Sequence, residues 1–246
     1  MEEQEIDMPV YLITGFLESG KTTFINFTVQ QEYFQIEEPT LLIACEEGEV
    51  EYDEAMLLKH NTVLEVLEDP EELTRDKLRA FQRKYRPDRV ILEYNPLWGV
   101  KHLEEMDLPY GWGIVQHIVT VDASTFQVYM NNMKSLFVEM ARNADMVMFN
   151  RCKKEQPLAN FRRSIKVVNP GCEILFEDEE GELTDIFEDE VPYDLKADVI
   201  EIEDMDYGIF YVDMRDHPER YQGRTVKFKG MVLKSRDVGA NFFVPG

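Results

Sequence analysis

The stretch "MPVYLITGFLESGKTTFINFTVQ", Met8 to Gln30, decides the fold. It opens as a short apolar run rich in β-branched residues, breaks at Gly15, and resumes at Gly20-Lys21-Thr22-Thr23. The text from Thr22 to Glu32 has helical spacing. A buried strand, a glycine-bearing turn and a helix start therefore follow one another directly. Gly15-Phe-Leu-Glu-Ser-Gly20-Lys21-Thr22 matches GxxxxGK[ST] in full. The glycines let the backbone wrap an anion with successive N–H groups, and the following helix aims its positive end at the same point. Phosphate is the anion this pattern fits. Gly15, Glu18, Ser19, Gly20, Lys21, Thr22 and Thr23 are the candidate cradle. Lys21 would reach the outer phosphates, and the Thr22 hydroxyl would hold Mg²⁺.

Outward from this stretch the rhythm repeats. "TLLIAC", "TVLEVL", "RVILEY", "QHIVTVD", "MVMFN" and "CEILFE" read as further strands, nearly all apolar, as strands covered on both faces are. Helical patterns lie between them at Pro70 to Arg86, Ser124 to Asn143 and Leu158 to Ile165. The βαβα order implies an α/β fold with a mostly parallel sheet flanked by helices. We expect the nucleotide-binding domain over residues 1–180 and an acidic linker over 181–198. Residues 199–246 read as a small antiparallel β module built from "VIEIED", "GIFYVDM", "TVKFKGMVLK" and "NFFVPG". The text ends at Gly246 just after a strand-like run, so the module is expected to be incomplete.

The 246 residues carry a net charge of −23 and are 44% hydrophobic. Such a field repels a phosphate backbone and argues against nucleic acid as a partner. An anionic ligand needs a local positive site, which the loop supplies. No apolar run approaches the roughly 20 residues of a membrane span. The start, "MEEQEIDMP", lacks the basic and apolar parts of a signal peptide. Three cysteines far apart, Cys45, Cys152 and Cys172, fit a reducing cytoplasm better than a disulfide framework. The sequence leaves the oligomeric state open.

Glu93 closes the strand "RVILE" and is the candidate acid for Mg²⁺ or for the attacking water. Cys45, Glu46, Glu47, Glu49 and Asp53 crowd one strand end. A thiolate with carboxylates is a Zn²⁺-type donor set, and a solvated acidic loop after a buried cysteine is the plainer alternative. None of the four histidines falls at a zinc-like spacing, and His117 reads as a core or edge residue.

"TGFLESGKTTFIN" resembles the phosphate loop of the CobW-type GTPases, usually TGFLGSGKTT. Four further stretches resemble the family in order. "CEEGEVEYD" is similar to its switch I segment and "PDRVILEYN" to its Walker B strand; "ADMVMFNRCK" is similar to the strand ending in Asn-Lys-x-Asp, and "VVNPGCEILF" to the element before the domain's last strand. The resemblance implies a GTPase tied to delivery or homeostasis of zinc or cobalt. It makes Glu49 a further Mg²⁺ candidate in switch I, Asn150 a contact to the base, and Lys21 and Glu93 the catalytic pair.

The chain also departs from the family. The usual Cys-x-Cys-Cys motif is replaced by "NTVLEVLEDPEEL". Glu18 stands where the loop usually has glycine, and Lys153 where the base-reading aspartate belongs. An ammonium cannot accept the hydrogen bonds of a guanine edge, so GTP and ATP both stay open. "FYVDMRDHPERYQGRTVKFKGMVL" resembles a small β domain of proteins encoded beside predicted permeases. The implied partners are a metal-receiving client protein or a membrane permease. A nucleotide-sensing adaptor with weak or no hydrolysis is the alternative reading.

Overall fold

Side chains along the strand Met8–Thr14 (β1) point alternately to two faces, and the sheet is built on that alternation. Val10 and Leu12 join one apolar cluster with Leu41, Ile43, Val90 and Leu92. Ile13 joins the opposite one with Leu42 and Ile91. Both faces are apolar, as the near-continuous hydrophobic text of these strands requires.

The computed structural model describes residues 6–45, 51–99, 103, 108–183, 191–204, 206–230, 232–233 and 244–245. The chain divides into two compact units, Met1–Leu158 with Gly171–Ile186, and Ala159–Pro170 with Phe187–Gly246.

In the first unit β1 is followed by the helix Lys21–Val29 (α1) and the strand Thr40–Ala44 (β2). Glu54–Lys59 (α2), Thr62–Val66 (β3), Arg75–Tyr85 (α3) and Arg89–Glu93 (β4) come next. Trp112–Asp122 (β5), the helices Phe126–Asn132 (α4) and Lys134–Arg142 (α5), and Met146–Asn150 (β6) follow. After the helix Leu158–Val168 (α6), which falls almost wholly in the second unit, come Glu173–Asp178 (β7) and Gly181–Glu182 (β8). The sheet order is β3-β2-β4-β1-β5-β6-β7-β8, with only the β7–β8 pair antiparallel.

Several elements differ from the sequence expectation. The helix expected over Ser124 to Asn143 is two, broken at Met133 (φ −132°, ψ 33°). The one expected from Pro70 begins as a short 3₁₀ turn, Pro70–Glu72. The α-helix starts only after Thr74, whose hydroxyl accepts from the Lys77 N–H. The short helix α2 was not anticipated. Asp53, counted above among candidate metal ligands, is its N-cap and accepts from the Met56 N–H at 3.1 Å.

The second unit contains, besides α6, Val199–Glu201 (β9), Tyr207–Asp216 (α7), Thr225–Lys227 (β10), Val232–Leu233 (β11) and Val244–Pro245 (β12). The β11–β12 pair is antiparallel as expected, whereas β9 and β10 pair in parallel. "GIFYVDM", read as a strand, is helical. Its inward residues explain why. Val212 and Asp213, adjacent in sequence, are both buried together with Phe210 one turn back, which suits a helix face and not the alternation of a one-sided strand. Phe210 meets Tyr221 edge-on at 5.3 Å, and the Asp213 carboxylate accepts from the Tyr221 hydroxyl and from Arg220 at 2.9 Å.

Candidate functional site

Gly15 to Gly20 bridge the end of β1 and the start of α1, and the backbone there is left-handed at three points. Gly15 has φ +149° and Gly20 φ +94°. A Cβ on Gly15 would lie 2.5 Å from the Thr120 carbonyl, and one on Gly20 would lie 2.6 Å from Asn150 Nδ2. Both glycines are thus required by conformation and by space. The third is Glu18, at φ +60° with a side chain and exposed. This is a physical reason for glycine to be the usual residue there. No side chain caps the first turn of α1, so its N-terminal amides keep their donors for a ligand.

Hydrogen bonds anchor the loop to the sheet. Ser19 Oγ and Thr120 Oγ1 are 2.7 Å apart, so Ser19 braces the loop from the buried side. The Thr14 hydroxyl bonds His117 Nε2 at 2.8 Å. Burial pulls the His117 imidazole down to about 4, which keeps it neutral at physiological pH. Lys21 is buried, and its ammonium donates to the carbonyls of Gly15 and Phe16 at 2.9 and 3.0 Å. Thr23 is exposed one residue beyond Thr22 on α1.

β4 runs beside β1, with Glu93 in register with Ile13, and this places the acid at the helix start. Thr22 Oγ1 donates to Glu93 Oε1 at 3.2 Å. The other carboxylate oxygen accepts from the Tyr52 hydroxyl. Burial, then the Glu93 charge, pushes the Tyr52 phenol far above its ordinary value. Sequence reasoning missed Tyr52. The signal available was a lone aromatic in an otherwise acidic segment just before α2.

On the other side of the loop, β6 delivers Asn150 and Arg151. Asn150 Nδ2 donates to the Ser19 carbonyl at 2.7 Å. Arg151, with φ +53°, donates through Nη1 to the Glu18 carbonyl at 2.9 Å and pairs with Asp122 at 2.5 Å. Arg151 was also missed, although a basic residue directly after the strand-end asparagine was a usable signal. Burial opposes ionisation of Asp122, but hydrogen bonds from Ser124 and Arg151 outweigh it and hold its carboxyl below the usual range. Lys153 is exposed, and its backbone N–H is held by Gln156 Oε1. A cleft of about 940 Å³ opens beside Gly20, Thr23, Asn150 and Arg151 and runs over the α1 face of the sheet.

Cys45 does not reach this cleft. It is wholly buried in the cluster of Val10, Leu12 and Leu92. Glu49 lies outside the described residues, as do Glu46, Glu47 and Gly48. Among the described residues no three metal-ligating side chains come together. None of the helices among the described residues is long and apolar enough to cross a membrane.

The model of the CobW/HypB/UreG nucleotide-binding domain matches residues 9–176. The chain belongs to this family. No curated protein matches it in sequence. Two solved structures share the fold of this family member. The hydrogenase maturation factor HypB from Archaeoglobus fulgidus is 18% identical with a TM-score of 0.52, covering 71% of this chain and 83% of its own. A Zn(II)-bound triple mutant of the YjiA GTPase is 19% identical with a TM-score of 0.54, covering 74% of this chain and 60% of its own. The chain thus spans less than two thirds of YjiA's length.

Proposed function

We propose that this protein is a Mg²⁺-dependent nucleoside triphosphatase, using GTP, that couples slow hydrolysis to transition-metal delivery or homeostasis in the cytoplasm. The observation that carries the reading is the Thr22–Glu93 hydrogen bond at the mouth of the phosphate loop. A hydroxyl and a carboxylate are hard oxygen donors, the type Mg²⁺ prefers. Bound there, Mg²⁺ would neutralise charge on the transferred phosphate. Lys21 would exchange its two carbonyl partners for the outer phosphate oxygens. The N–H groups from Gly15 to Thr23 would hold the remaining oxygens. Glu93, 3% exposed, would orient the attacking water. Asn150 would face the base.

The metal cargo has support only from the family and from the Zn(II)-bound YjiA. Zinc or cobalt delivered to a client protein is the reading we favour, and the described residues offer no cluster for it. The test is calorimetric titration of GTP and ATP, each with Mg²⁺, followed by turnover with and without Zn²⁺ and Co²⁺. Preference for GTP with turnover abolished in Lys21→Ala supports the proposal. Failure of both nucleotides to bind would end it.

The second reading is a nucleotide-sensing adaptor for a permease or another protein, with hydrolysis weak or lost. The Tyr52 hydroxyl on Glu93 favours it, because it occupies the oxygen that a water-positioning acid needs. Tight binding with negligible turnover would select this reading.

A further inference from the structure

The Asn150 side chain leaves a question about the base that Lys153 cannot answer. One amide hydrogen goes to the Ser19 carbonyl, and Oδ1 is buried without a partner. An amide alone presents a donor beside an acceptor, and that pair suits adenine as well as guanine. A carboxylate beside it would decide between them. Position 153 supplies an ammonium, which only donates.

The pairing of β6 with β7 places an acid where one is needed. Met148 is in register with Leu175, and Phe149 with Phe176. Continuing the register sets Asn150 against Glu177, and the Cys152 N–H closes on the Glu177 carbonyl at 2.9 Å. Met148, Asn150, Leu175 and Glu177 all line the cleft. Asn150 and Glu177 therefore lie on one face at neighbouring positions, about 4.8 Å apart by strand spacing. The half-buried Glu177 carboxylate makes no hydrogen bond or ion pair among the described residues. The next acid, Asp178, is engaged: its Oδ1 accepts from the N–H groups of Glu180 and Gly181 and shapes the turn after β7.

We infer that Glu177 is the specificity-determining acid of the base site, a role moved from the loop after β6 to the end of β7. This rests on the nucleotide reading above. Guanine offers two donors on one edge, the ring N1–H and the exocyclic amine, and a carboxylate accepts both. Adenine offers a lone pair at N1, which a carboxylate repels. Xanthine carries a carbonyl in place of the guanine amine, so it also meets the carboxylate unfavourably, whereas a glutamine amide can donate to it.

The experiment is titration of GTP, ATP and XTP, each with Mg²⁺, into the wild-type chain, Glu177→Gln and Glu71→Gln. Glu71 is exposed on the 3₁₀ turn before α3, does not line the cleft, and makes the same change of charge. We expect the wild type to prefer GTP. Glu177→Gln should lose about 10- to 100-fold for GTP, the span of one bidentate pair, keep its ATP affinity and gain XTP. Gain of XTP is a readout that loss of folded protein cannot imitate. An unchanged GTP-to-ATP ratio in Glu177→Gln overturns the inference. So does an equal shift in Glu71→Gln, which would mean that only the overall field matters, and so does a wild type that treats GTP and ATP alike. A wild type that binds none of the three removes the nucleotide reading itself.

Discussion

Replacing Tyr52 by phenylalanine should loosen the ligand-free protein and tighten its hold on Mg²⁺–nucleotide. The Tyr52 hydroxyl donates to one oxygen of Glu93, and Thr22 donates to the other. The Thr22 bond can persist while the Thr22 oxygen faces a cation. The Tyr52 bond cannot persist if a metal-held water is to use the same oxygen. A hydrogen bond to a charged acceptor is worth about 1.5–3 kcal/mol. Tyr52→Phe should therefore lower the unfolding free energy of the nucleotide-free protein by about 1.5–3 kcal/mol, read from urea denaturation. The same quantity no longer has to be given up on binding, so the Mg²⁺ affinity of the GTP-loaded protein should rise by roughly 10- to 150-fold. Magnesium titration by calorimetry measures it. The two effects have opposite signs, which few substitutions produce. A destabilised variant with unchanged Mg²⁺ affinity would reduce Tyr52 to a packing residue. Weaker Mg²⁺ binding would refute the reasoning outright, because Tyr52 would then belong to the bound state.

Glu18→Gly should relieve a left-handed side-chain-bearing residue and remove a carboxylate near the phosphates. Thermal melts should show a gain of up to about 1 kcal/mol, and titration should show tighter nucleotide binding. Gly20→Ala should cost about 2–3 kcal/mol, from the positive φ and the contact with Asn150 Nδ2, and urea midpoints would register it. His117 is held neutral by burial with its pKa near 4, below the unfolded value of 6.5. The unfolded chain then binds the extra proton first, so this stabilisation is complete above pH 6.5 and lost as pH falls toward 4. The loss amounts to roughly 3 kcal/mol. His117→Gln should flatten that part of the stability–pH curve, and an unchanged difference between the two proteins from pH 7 to pH 4.5 would contradict it.

Much of the first unit was legible because its signals are local and repeated. Gly15, Gly20, Lys21 and Thr22 carry a backbone requirement, and the strands around them alternate faces within continuous apolar text. Asn150 could be placed because it ends a strand. Other features depend on distant partners. Tyr52 gains its meaning from Glu93, which is 41 residues away. Glu177 matters only through the register of β7 against β6. The helix α7 was misread because its apolar residues fill both the strand and the helix template. Packing of Phe210 and Asp213 decides between them, and neighbouring sequence does not.

The two bonds from Asn150 and Arg151, at the end of β6, to the carbonyls of Ser19 and Glu18 tie that strand end to the phosphate loop before any ligand arrives. The span between these two grips is therefore fixed by folding, and it works as a caliper. A triphosphate without a base closes only one jaw, and a nucleoside without phosphates only the other. Because the tie runs through backbone carbonyls, it is indifferent to the side chains at positions 18 and 19. In the inferred base site the recognising residue moves from the end of β6 to the end of β7, and the calibrated length stays the same.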